Sequence, residues 1–116
     1  MDYTELLRRL SLNDDRIAAE VTGDEGTQPS GPHQSLDTRT LALVRLAALV
    51  AVGGAVPSYG AQADAAVEAG ATAAEIVDVL VGVIPIVGMP CVVAAAPKVG
   101  LALGHDVDAD FGLSYR

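Results

Sequence analysis

Few side chains in this sequence can do chemistry. There is one cysteine, Cys91, and two histidines, His33 and His105. Cys91 follows Met89-Pro90 at an expected helix start, where exposed amides lower a thiol pKa and raise its reactivity. A free cysteine is equally at home as a small core residue. A single thiol forbids an intramolecular disulfide and excludes a CxxC redox pair. Arg45 lies in an otherwise apolar run, and a sheltered guanidinium needs a carboxylate. Asp64, Glu68 or Asp78 are the expected partners, within or between subunits. The other use of Arg45 is to hold a carboxylate ligand through its bidentate fork. His33 falls in a Pro/Gly-rich stretch and is expected in solvent. His105 follows the last helix and can meet its negative end. Their spacing suggests no metal site, because ligand sets bring further neighbours. Asp106, Asp108 and Asp110 alternate like a calcium loop but lack its Gly and terminal Glu. The expectation is a solvated tail, with no metal and no cofactor.

Composition bounds what these residues can serve. The chain has 116 residues, 51% hydrophobic, 19% charged and 3% aromatic, with a net charge of -8. One domain is expected at this length, and the chain is too apolar to stay disordered. Negative charge and scarce aromatics oppose nucleic-acid binding. Two stretches, 46–63 and 79–97, carry no charge. Each approaches the roughly 20 apolar residues needed to cross a bilayer. However, Gly53-Gly54 and Pro57 interrupt the first, and Gly82, Pro85, Gly88 and Pro90 the second. Neither has an aromatic belt or a basic flank. Short buried helices joined by tight turns are expected instead, with no membrane partner. The acidic start, Met1 to Glu5, does not read as a signal peptide, so a cytoplasmic location is the default.

The elements that must position these residues all read as helices. Residues 3–20 place Leu6, Leu7, Leu10 and Ile17 on an apolar stripe, with Arg8, Arg9, Asp14, Asp15 and Glu20 outside it. Asn13 or Asp14 interrupts this helix or caps a second one. Residues 22–35 collect turn formers. The expected organisation is an N-terminal helical extension and linker over 1–35, a core domain over 36–105 and an acidic tail over 106–116. In the core, Asp37 is expected to cap a helix over 38–52, which Gly53-Gly54 ends. Pro57-Ser58 starts the next, with Ser58 as its cap, running to about residue 69. There Gly70 closes it. Ala61, Ala65, Ala66 and Ala69 share one face of that helix, with Asp64 and Glu68 opposite. Thr72-Ala73-Ala74-Glu75 is a capping box. The helix it opens turns Ile76, Val79, Leu80 and Val83 inward and Asp78 outward, and ends or bends at Pro85 to Gly88. Met89-Pro90 begins the last helix, which runs to about residue 103 with a kink at Pro97.

Several of these motifs occur together. Leu36-Asp37-x-x-Thr40, Ala66-x-x-Ala69-Gly70-Ala71-Thr72-x-x-Glu75-Ile76-x-x-Val79-Leu80 and Gly88-Met89-Pro90 resemble the carboxymuconolactone decarboxylase family. Its relatives include the alkyl hydroperoxidase D proteins. The resemblance covers about residues 36 to 103. It implies an all-α, orthogonal multi-helix domain of the alkyl hydroperoxidase D-like type. It also implies assembly as a trimer or hexamer, with apolar helix faces buried between subunits.

The peroxidase relatives use a CxxC pair, followed four residues later by a His, at the start of the helix before the Ala-Gly turn. Counted back from Gly70, these positions are Ala55, Ser58 and Gln62. The acidic residue of the preceding helix falls among Leu41, Ala42 and Leu43. The decarboxylase branch lacks the cysteines and keeps the His, which is again Gln62 here. Gln has no accessible pKa and cannot shuttle a proton.

Gln62, Ser58 and Tyr59 are therefore the candidate polar lining of a small-molecule site. The ordinary roles are a helix cap for Ser58 and a surface or subunit contact for Gln62. The expected function is that of an oligomeric scaffold or small-molecule-binding member with altered or lost catalysis. Its ligand would be a small carbonyl or carboxylate compound. The alternative is an active lactone decarboxylase-type enzyme with a rearranged site. In it, Arg45, Tyr59 and the amides near Ser58 stabilise developing carbanion charge. A third option is thiol chemistry through Cys91 with a cysteine of another subunit. A core of roughly 70 residues without large aromatics is marginal alone, so a homo-oligomer is expected.

Overall fold

The computed structural model describes residues 2–22 and 35–105. These residues form six α-helices, and there is no strand among them. Most of the linker expected over 22–35, with His33, lies outside the described residues, as do Asp106, Asp108 and Asp110. The chain divides into two compact units, Met1–Thr38 and Arg39–Arg116.

The first unit carries α1 (Tyr3–Ser11) and α2 (Asp15–Thr22). The Asp2 carboxylate accepts the Glu5 amide at 2.8 Å and caps α1. The chain reverses at Asn13, whose φ of 58° is a left-handed conformation that Asn tolerates. Asp14 then accepts the Arg16 amide at 3.0 Å. The expected interruption at Asn13 or Asp14 thus uses both residues, one to turn and one to cap. Asp14 also accepts from the Arg9 guanidinium at 2.9 Å and from that of Arg16 at 2.8 Å. Arg9 was expected on the outside. Its side chain is only 11% exposed, because the reversal brings Asp14 and Glu20 against it. Ile17 is buried, while Leu7 and Leu10 of the apolar stripe remain exposed.

The guanidinium groups of Arg16 and Arg9 hold the Asp14 carboxyl well below the usual carboxylate range. A depressed folded pKa stabilises the unit above the unfolded Asp value of about 3.9. That stabilisation is lost as pH falls toward the folded value. An NMR titration of the Asp14 carboxyl carbon is expected to inflect well below about 3.9. An inflection at the ordinary value would show that the two arginines do not engage it in solution.

The second unit carries α3 (Thr38–Val52, whose first residue closes the first unit), α4 (Val56–Glu68), α5 (Ala73–Val87) and α6 (Met89–Ala102). Helices α4 and α5 both pack on α6. The core gathers Leu46 and Val50 from α3, Tyr59 and Ala66 from α4, Ile76 and Leu80 from α5, and Val92, Ala95 and Val99 from α6. Each uncharged stretch is broken between helices, the first at Gly53-Gly54 and the second at Gly88. Among the described residues, no helix is long and apolar enough to cross a membrane.

Several helix ends form as their local signals dictate. The Glu75 amide donates to Thr72 Oγ1 at 3.1 Å, and the Thr72 amide donates to Glu75 Oε1 at 2.9 Å. Glu75 also pairs with Arg39 and so ties α5 to α3. Gly70 takes φ +102° after α4, a conformation that costs a residue with a Cβ. Pro90 sits in the first turn of α6, where its missing amide costs nothing.

Other expectations are corrected. Helix α4 starts at Val56 with Ala55 at the cap position and no side-chain cap. Ser58 is inside the first turn, its amide donating to the Ala55 carbonyl at 3.0 Å. Pro57 favours the first turn, which puts the cap ahead of it rather than at Ser58. The buried face of α4 is Tyr59, Ala63 and Ala66, while Ala61 and Ala65 are exposed. The one aromatic ring of the helix gains most from burial and sets the rotation. On α5, Ile76 and Leu80 are buried, Val79 and Val83 half-buried and Asp78 exposed. Helix α5 does end within the expected span, passing Pro85 and stopping at Val87. Pro85 is exposed in the last turn, where the carbonyl it leaves free can reach water. Gly88 makes the break, at φ +85°. Helix α6 runs through Pro97 to Ala102, in line with the expected end near residue 103.

Candidate functional site

Two polar side chains of the second unit, Tyr59 and Lys98, meet backbone carbonyls where α3 passes into α4. Tyr59 is 1% exposed, and its hydroxyl donates to the Leu49 carbonyl at 3.3 Å. Burial pushes the phenol pKa up, and the nearby Cys91 adds to the rise. Cys91 stands half-buried in the first turn of α6. Two turns further on, α6 supplies Lys98, the one lysine of the chain. Its ammonium donates to the Gly54 carbonyl at 2.8 Å and lies 5.8 Å from the centroid of the Tyr59 ring. A lysine can do this from an apolar helix because its stem packs on apolar surface while the head seeks a polar group.

The other candidates do not join this cluster as a set. Ser58 and Gln62 are four apart and share one side of α4, whereas Tyr59 points to the core. Ser58 is exposed and Gln62 half-buried. Ala55, Ser58 and Gln62 succeed one another along α4 from its cap. Leu41 and Ala42 are buried and Leu43 packs at the edge of the core.

Arg45 is exposed, which corrects the expectation of a sheltered cation. Among the described residues, no carboxylate of Asp64, Glu68 or Asp78 pairs with it. The core stripe of α3 runs through Ala42, Leu46 and Val50. That four-residue step leaves Val44, Arg45 and Ala48 facing outward. His105 is exposed after α6, with its amide donating to the Gly100 carbonyl at 3.0 Å.

Lys98 is the residue that sequence reasoning missed. A signal existed, since it is the single Lys or Arg between residues 46 and 105. Its partner Gly54 is 44 positions away, beyond the reach of any spacing rule.

Chemically, the cluster sets a cation over a buried phenol, with one thiol two turns away along α6. It can stabilise negative charge. It cannot form a disulfide within a subunit, because the chain has one sulfhydryl. Ala55, Ser58 and Gln62, the three positions counted back from Gly70, carry no thiol and no imidazole.

A search of curated proteins finds no match to this chain, and neither does a search of solved structures. The sequence model of the carboxymuconolactone decarboxylase family matches residues 25–99. That stretch takes in α3, α4, α5 and most of α6, including Tyr59, Gln62, Cys91 and Lys98. The chain therefore belongs to the carboxymuconolactone decarboxylase family.

Proposed function

We propose that the chain is a non-redox, homo-oligomeric member of its family that binds a small carbonyl or carboxylate compound, with catalysis altered or lost. The observation that carries this reading is the side of α4 formed by Ala55, Ser58 and Gln62. It offers a hydrogen-bonding surface with no thiol and no imidazole. Assembly as a trimer or hexamer would cover apolar side chains that one subunit leaves exposed, Val81 and Ile86 among them. A cytoplasmic setting fits a protein with one free thiol.

One observation favours a second reading, an active lactone decarboxylase-type enzyme with a rearranged site. Tyr59 faces inward beside the Lys98 ammonium, and a fixed cation there can stabilise carbanion charge. The two readings part in a turnover assay with a carboxylated γ-lactone. The expected result is binding with no release of carbon dioxide above the buffer rate. Steady decarboxylation that disappears in Gln62→Ala or Tyr59→Phe would overturn the non-catalytic reading and establish the second.

A further inference from the structure

We propose that Lys98 is the cation that recognises the carboxylate of the bound compound, an inference that rests on the small-molecule reading above and narrows its ligand to a monocarboxylate. Charge balance carries the argument. Acidic side chains outnumber basic ones in this chain, 15 to 7. Among the described residues, Arg8 pairs with Glu5, Arg9 and Arg16 with Asp14, and Arg39 with Glu75. Arg45 is open to water. Lys98 alone among them is a sheltered cation without a carboxylate partner.

An ammonium has three donors. Lys98 directs one to the Gly54 carbonyl, and the Tyr59 ring covers one of its sides. A neutral carbonyl and a ring quadrupole compensate a partly desolvated charge only in part. A carboxylate completes the balance with a charge-assisted hydrogen bond, about twice as strong as a neutral one. Gly54, whose carbonyl Lys98 engages, immediately precedes in the chain Ala55, the first of the three positions along the proposed site. A single ammonium is one point charge and so matches a single carboxylate. The net charge of -8 repels multiply charged anions such as phosphate and leaves a singly charged carboxylate favoured.

The test uses the intact chain and two probes, a γ-lactone bearing one carboxylate and its methyl ester, followed by titration calorimetry. The parent is expected to bind the acid at least about tenfold tighter than the ester, a gap of about 1.4 kcal/mol. Lys98→Met keeps the stem and removes the charge. It is expected to lose that tenfold preference and leave ester binding unchanged, while Lys98→Arg retains the preference. A purely structural role for Lys98 would weaken both probes alike.

Should Lys98→Met fail to fold, the parent still gives an answer, because Lys98 is its one side-chain amine. The acid, and not the ester, is expected to slow acetylation of Lys98 relative to the terminal amine, read by mass spectrometry. Lys98→Met binding the acid as the parent does, or equal acetylation with and without acid, would overturn the assignment. Equal binding of acid and ester by the parent would overturn the Lys98 assignment alone. Binding of neither would overturn the small-molecule reading with it.

Discussion

Replacing Tyr59 with Ala is expected to cost about 3–5 kcal/mol of stability, the range for removing a large buried aromatic from a core. Tyr59 is the largest of the fully buried side chains, and it packs where α3, α4 and α6 meet. A small domain holds only about 5–15 kcal/mol in total, so this one change approaches the limit of what the fold can lose. The cost belongs to the ring rather than the hydroxyl. In Tyr59→Phe the ring stays, and the Leu49 carbonyl keeps the Gly53 amide at 2.7 Å. That variant is expected to lose only about 0.5–1.5 kcal/mol, the net worth of one hydrogen bond. Urea unfolding followed by far-UV circular dichroism, at one protomer concentration for all variants, measures both. Equal costs for Ala and Phe would mean that the ring is not packed as described.

The same residue shows where the sequence was legible and where it was not. Helix ends follow from chemistry within a few residues. The Thr72–Glu75 box, Gly70 after α4 and Met89-Pro90 at the start of α6 each announce themselves locally. Helix rotation does not. Helix α4 carries alanines on several sides, so hydrophobic periodicity gives it no phase, and Tyr59 decides which alanines are buried. Helix α3 is apolar almost all round, and for the same reason its sequence could not show that Arg45 faces outward. The candidate site divides in the same way. Tyr59 and Cys91 stand out by residue type alone, and the motifs around Gly70 and Gly88 carry the family. The link from Lys98 to Gly54 joins distant segments and needs the packing of α6 before it exists. Ser58 was misread because two local rules competed, and the preference of Pro57 for the first turn prevailed over the preference of Ser for the cap.

If the chain assembles as proposed, a Val81→Glu substitution is expected to turn the assembly into monomers while leaving its helices intact. Helix α5 turns Ile76 and Leu80 into the core, and leaves Val77 and Val81 exposed one turn apart on the other side. Val81 is 60% exposed and Ile86, further along, 86%. Apolar side chains left open one turn apart, as Val77 and Val81 are, fit the proposed subunit contact. Within one subunit the change is mild. Glu is a good helix former, and surface substitutions usually stay within about 0.5 kcal/mol. Inside a subunit interface the same carboxylate must be desolvated, which costs several kcal/mol per ion where no cation meets it. In a symmetric assembly that cost recurs at every copy of the contact. Light scattering coupled to size exclusion reads the mass, and circular dichroism reads the helix content. A parent that runs as a monomer would remove the homo-oligomer proposal. A Val81→Glu variant with the mass of an assembled parent would move the interface away from α5. Loss of helix content together with mass would show that Val81 supports the subunit itself, against its exposure.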